Sequence, residues 1–167
     1  MVAEAVPPLI RVLQKLARAV GQYEDRASYS DGHARWSLYR VAMDTPTALP
    51  LLFEALSLEP DGPLASGVVG YVLERVPEDE REQWVQLLPP AVRGFSAQRA
   101  RELVILESLK QGAVPAETVN DLIDGWSDWL QRRAVDATAD QDVRRILSQK
   151  GRTKRIRQSA LEAFRHG

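Results

Sequence analysis

From Thr45 to Val76 the chain reads TPTALPLLFEALSLEPDGPLASGVVGYVLERV, and this stretch decides the fold class. Leu49, Leu52, Phe53, Leu56 and Leu58 recur largely at the three- and four-residue intervals that put apolar side chains on one helical face. Thr45-Pro46 supplies a cap followed by a proline at the first helical position. Glu59-Pro60-Asp61-Gly62-Pro63 is the clearest turn in the chain. Beyond it, Leu64 to Val76 resumes helical spacing through Val69, Val72, Leu73 and Val76. Ala65, Gly67 and Gly70 make that helix thin enough for a neighbour to approach closely. Val68-Val69-Gly70-Tyr71-Val72 is the one β-like run, and its helical flanks assign it to the helix.

The same period continues outward in both directions. Pro8 to Val20 carries Leu9, Val12, Leu13, Leu16, Ala17 and Val20 on one stripe, and Gly21 ends it in left-handed geometry. Tyr23 to Gly32 reads as a loop. Asp31 caps the next helix, with Trp36, Tyr39, Val41 and Met43 as its apolar positions. Downstream, Pro77-Glu78-Asp79-Glu80 opens a helix with acids suited to its dipole, with Trp84, Val85, Leu87 and Leu88 before Pro89-Pro90. Ser96 is expected to cap a helix through Leu103, Val104, Leu106 and Leu109, closed by Gly112. Pro115 to Gly125 is a shorter one. Trp126, Trp129 and Leu130 lead the next, Asp140 or Asp142 begins another that Gly151 stops, and Thr153 caps the last. The expectation is an all-α fold of roughly eight to ten short helices.

The 167 residues fit one domain, 1–167. The chain has no cysteine, so disulfides, thiolate–zinc sites and thiol nucleophiles do not arise. No run approaches the ~20 apolar residues of a membrane span. Met1 to Pro8 lacks the basic start of a signal peptide, which points to the cytoplasm. Arginine outnumbers lysine 18 to 4, a usage typical of GC-rich bacterial genomes.

Two faint echoes suggest a repeat: Glu82-Gln83-Trp84-Val85-Gln86 with Ser127-Asp128-Trp129-Leu130-Gln131, and Leu109-Lys110-Gln111-Gly112 with Ser148-Gln149-Lys150-Gly151. Near the C-terminus, Asp142-Val143-Arg144 precedes Arg155-Ile156-Arg157-Gln158-Ser159-Ala160-Leu161. This order of aspartate, valine–arginine, alanine and leucine resembles the HEAT helical repeat, with force only over the last third of the chain. The Pro89-Pro90 break and the loop after Gly21 depart from a regular register. The resemblance implies stacked helix pairs and a role in binding; a compact multi-helix array is the alternative.

Charge is segregated. Residues 131–167 carry ten Lys+Arg against four Asp+Glu, and residues 1–130 carry twelve against nineteen. Lys150, Arg152, Lys154, Arg155 and Arg157 form a candidate phosphate or nucleic-acid site, in which cations would act mainly by charge. Pairing within the molecule, or with a protein, is the competing account. Trp126 is a candidate partner anchor, whereas Trp84 and Trp129 are expected in the core. Asp121, Asp124 and Asp128 could share a face, but Gly125 interrupts it and capping explains them better than a metal. His33 and His166 are the only histidines, and no nucleophile elbow, phosphate loop or metalloprotease pair accompanies them. The sequence therefore points to a non-enzymatic scaffold without cofactor or metal, binding a protein. Nucleic-acid binding is the alternative, and self-association between acidic and basic regions a further option.

Overall fold

The computed structural model describes residues 7–22 and 29–167. Among these residues it contains ten α-helices and no strand, so the chain is all-α as its periodicity implied. The readings made for Met1 to Val6, and for most of the loop after Gly21, lie outside the described residues. No described helix is long and apolar enough to cross a membrane. The chain forms two compact units, Met1–Ala100 and Arg101–Gly167.

The first unit holds α1 (Pro8–Ala19), α2 (Gly32–Met43), α3 (Leu49–Ser57), α4 (Gly62–Val72) and α5 (Glu78–Leu87). It also holds the start of α6 (Gly94–Lys110). Helix α1 packs on α3, α2 on α4 and α3 on α5, with sequence neighbours in lesser contact. Leu13, Leu16, Leu38, Leu52, Val68 and Leu73 are sealed in this core. Asp31 caps α2 through the His33 amide at 3.0 Å. Asp61 caps α4 through Leu64 at 3.0 Å, so that helix starts at Gly62, inside the stretch expected to turn.

Two expected caps are overturned. Thr45 caps nothing, because its hydroxyl donates back to the Val41 carbonyl at 2.9 Å; Pro46–Ala48 forms one 3-10 turn before α3 begins. Ser96 lies inside α6 and is fully buried, since the first helical bond runs from the Ala97 amide to the Arg93 carbonyl at 3.0 Å. Gly21 and Gly112 sit at φ 70° and 67°, where an L-residue would be strained.

The second unit holds the rest of α6, then α7 (Ala116–Leu122), α8 (Asp128–Ala137), α9 (Gln141–Lys150) and α10 (Lys154–His166). Helix α9 lies along α10 over the most extensive contact of the molecule, α7 packs on α9 and α8 on α10. Val119, Ile123, Leu130, Val143, Leu147 and Ile156 form its core. Ser127, Asp140 and Thr153 cap α8, α9 and α10 with their side-chain oxygens. Trp126 therefore precedes α8 rather than leading it.

Candidate interaction surfaces

The five cations of the basic segment divide into two groups. Lys150, Arg152 and Arg157 are engaged with backbone carbonyls, the negative ends of helix dipoles. The Lys150 ammonium donates to the Asn120 carbonyl at 3.2 Å, within the last turn of α7. Arg152 donates to the carbonyls of Trp126 at 2.6 Å and Asp124 at 3.2 Å, while facing the Asp128 carboxylate at 3.4 Å. Arg157 reaches back to the Gly151 carbonyl at 2.7 Å, just past the end of α9. Lys150 and Arg152 tie the turn between α9 and α10 to the end of α7 and the segment after it, and Arg157 ties α10 to that turn.

Gln131 completes that tie from inside. Its buried amide donates to the carbonyls of Ile123 and Trp126 at 3.0 and 3.3 Å, and its oxygen accepts from the Arg152 amide at 2.8 Å. Nothing in the sequence marked Gln131, since a glutamine on a helix reads as solvated until the neighbouring loop is in place.

Lys154 and Arg155 are exposed at the start of α10. Arg155 shares a shallow recess of about 190 Å³ with Arg132, Val135, Asp136, Ile156 and Ser159. Val135 and Ile156 are buried and form its floor. The Arg132 Nε donates to the Asp128 carbonyl at 3.2 Å, within its own helix.

Trp126 and Trp129 fall the other way round from expectation, whereas Trp84 lies in the core as expected. Trp126 is 5% exposed, so its indole offers no surface to a partner in this conformation. Trp129, expected in the core, is half-buried, with the Arg133 guanidinium 5.3 Å from its ring centroid. Trp84 is buried against Phe53, edge to face at 5.0 Å. Among the described residues, no group of three or more His, Asp or Glu side chains is placed to hold a metal, and Asp128 faces Arg152 instead. His33 and His166 are exposed at opposite ends of their helices.

A second surface, in the first unit, was not singled out by the sequence. Trp36 on α2 and Tyr71 on α4 form a tilted ring pair 5.9 Å apart. They border a recess of about 310 Å³ with Arg40, Met43, Asp44 and Arg75. Gly67 and Gly70 explain why rings collect here. A Cβ on Gly70 would meet the Phe95 ring at 3.3 Å, and one on Gly67 would lie 3.9 Å from the Trp36 ring. Bare backbone on α4 thus supports aromatic side chains rather than the close helix expected. Gly67 lines a second groove with Pro63, Ser66, Val92 and Phe95. Tyr71 and Phe95 are 51% and 57% exposed, the largest values among the aromatic side chains described. Arg75 is held by Asp44 at 2.7 Å and the Tyr71 carbonyl at 2.8 Å, and Arg99 lies 5.2 Å from the Phe95 ring centroid.

The other feature the sequence hid is a buried ion pair. Arg35 on α2 grips Glu59 with two hydrogen bonds of 2.9 Å, and the Glu59 carboxylate has no exposed surface. Tyr39 donates to the same carboxylate at 2.7 Å, and the Asp61 amide at 3.0 Å. Burial first, then the hydrogen bond to Glu59, pushes the Tyr39 phenol well above its ordinary value. Every donor and acceptor of this cluster is satisfied inside the protein, which makes it a clamp between α2 and the α3–α4 turn.

Comparison with family models, with curated proteins and with solved structures finds no match to this chain.

Proposed function

We propose that the chain is a non-enzymatic, α-helical interaction protein of the bacterial cytoplasm, built from HEAT-like stacked helix pairs, whose partner is another protein. The observation that carries this reading is the α2–α4 face, where Trp36, Tyr71 and Phe95 stand beside Arg40 and Arg75. Tryptophan, tyrosine and arginine are the residue types that dominate binding energy at protein interfaces. Rings left half in water over a glycine-thinned helix contribute little to the unit's own core and much to a partner that covers them. The packing order supports the stacked-pair part: helices two apart in sequence lie together, α1 on α3, α2 on α4, α7 on α9 and α8 on α10.

The test is affinity capture from lysate of the source cells with wild-type protein and with Tyr71→Ala/Phe95→Ala, followed by calorimetric titration of the captured protein. Both rings are exposed, so the variant should keep its circular dichroism and melting temperature. It should bind the partner about tenfold or more weakly, as hot-spot truncations do. An identical capture profile for the two proteins removes this reading. Light scattering at low and high salt separates a second copy of the chain from a foreign partner.

A further inference from the structure

We propose that the α8–α10 surface binds the phosphate backbone of a nucleic-acid duplex through Arg132, Lys154 and Arg155. The site lies in the second unit and stands independently of the protein-binding face. Of the five cations that the sequence nominates it keeps Lys154 and Arg155, and it adds Arg132. Lys150, Arg152 and Arg157 already donate to backbone carbonyls near helix ends. Lys154 and Arg155 are exposed, and neither side chain forms a hydrogen bond or ion pair with the described residues.

The recess beside them has the chemistry of an anion site. Arg132 and Arg155 enter it from adjacent helices, with the exposed Ser159 as a further donor. Arg132 spends only its Nε on the Asp128 carbonyl, so both of its terminal nitrogens remain to donate. Two guanidinium groups facing one hollow repel each other until an anion lies between them, and a phosphate accepts from both. Asp136 is the one carboxylate lining the recess, one negative charge against two positive. No aromatic ring lines it, so the surface reads phosphates and not stacked bases. A duplex, whose bases are already stacked, fits that better than a single strand. Lys154, one residue before Arg155 and outside the recess, extends the positive charge beyond a single phosphate. That favours a polymer over an isolated phosphorylated side chain. The surrounding residues 131–167 carry ten Lys+Arg against four Asp+Glu, which raises the local concentration of polyanions.

The experiment is fluorescence anisotropy with labelled DNA duplex, labelled RNA duplex and a labelled phosphoserine peptide, each at low and near-physiological salt. Lys154→Glu/Arg155→Glu places acids in the first turn of α10, where the helix dipole tolerates them, so the fold should survive. Arg11→Glu/Arg18→Glu, exposed on α1, changes the net charge equally at a distant place in the chain. Duplex affinity should fall steeply with salt, weaken roughly tenfold or more in the α10 variant and change about twofold or less in the α1 variant. Asp136→Asn should tighten binding by a few-fold, a gain that misfolding could not produce. The DNA and RNA arms identify which duplex is preferred. No duplex binding at low salt overturns the proposal. So do equal losses in the two double variants, or capture of the phosphopeptide alone.

Discussion

The Glu59 carboxylate accepts four hydrogen bonds. Arg35, Tyr39 and the Asp61 amide all donate to its carboxylate, which is sealed from water. Removing one member of such a pair leaves the other charge buried, and Glu59→Gln should cost about 3 kcal/mol in urea unfolding. Tyr39→Phe should cost about 1–2 kcal/mol, the loss of one hydrogen bond to a charged group. The phenol also sets a pH dependence. Its upward shift in the folded state means that Tyr39 stays protonated where an unfolded tyrosine, ionising near pH 10, does not. Its contribution is complete below about pH 10 and drains away as the pH rises further. Urea melts from about pH 8 to pH 11 should therefore show a steeper alkaline loss for wild type than for Tyr39→Phe. Gly151 makes a different demand. An added Cβ would meet the Leu147 carbonyl at 2.6 Å and the Ile156 methyl at 2.7 Å. Backbone cannot yield cheaply, so Gly151→Ala should destabilise the second unit by about 1–3 kcal/mol, as overpacking does.

Helix ends explain much of the arginine content. Arg81 donates to the Leu73 carbonyl after α4, Arg93 to the Leu88 and Gln86 carbonyls at the end of α5, and Arg152 and Arg157 repeat the device in the second unit. Short helices joined by short loops leave many carbonyls without partners, and a guanidinium can satisfy two at once with a fixed fork. One terminal nitrogen of Arg152 serves both the Asp124 and Trp126 carbonyls while the other faces the Asp128 carboxylate, a spread that the single ammonium of lysine lacks. Arg152→Lys should therefore lower the melting temperature, whereas Lys154→Ala, at an exposed position, should leave it within about 0.5 kcal/mol of wild type. Gln131→Leu should cost more than about 2 kcal/mol, because two carbonyls and the Arg152 amide lose their partner together. Differential scanning fluorimetry of the three variants checks the order. Both caps that failed, Thr45 and Ser96, were serine or threonine positions with a better local alternative: a bond back to the preceding turn, or a helix begun two residues earlier.

At the scale of the whole molecule, packing gathers into two compact units whose boundary falls within α6, after Ala100. Openings of a protein follow such units. In Gly151→Ala, amide hydrogen exchange should accelerate across 101–167 and stay unchanged across the buried helices of 1–100. Equal acceleration throughout would mean that the chain unfolds as one. Of the cations that the sequence displayed in 131–167, Lys150, Arg152 and Arg157 donate to backbone carbonyls near helix ends. Lys154 and Arg155, at the start of α10, are exposed.

The sequence by itself determined the helical class, most helix positions, and the caps at Asp31, Asp140 and Thr153. These follow from period and backbone sterics, which act over a few residues. It also carried the total charge of each region, because charge is additive. Only the tertiary structure decided which cations are available. Whether a cation finds a carbonyl depends on a segment some 30 positions away, as Lys150 and Asn120 illustrate. The same holds for Trp126 and Trp129, three residues apart and nearly equal in hydrophobicity, of which packing buries the first. It holds again for Glu59, an acid in a proline-rich turn, which gains its role only because α2 brings Arg35 and Tyr39 to it from 24 and 20 positions away. Local patterns fix what a segment becomes, and the approach of distant segments fixes what its side chains are free to do.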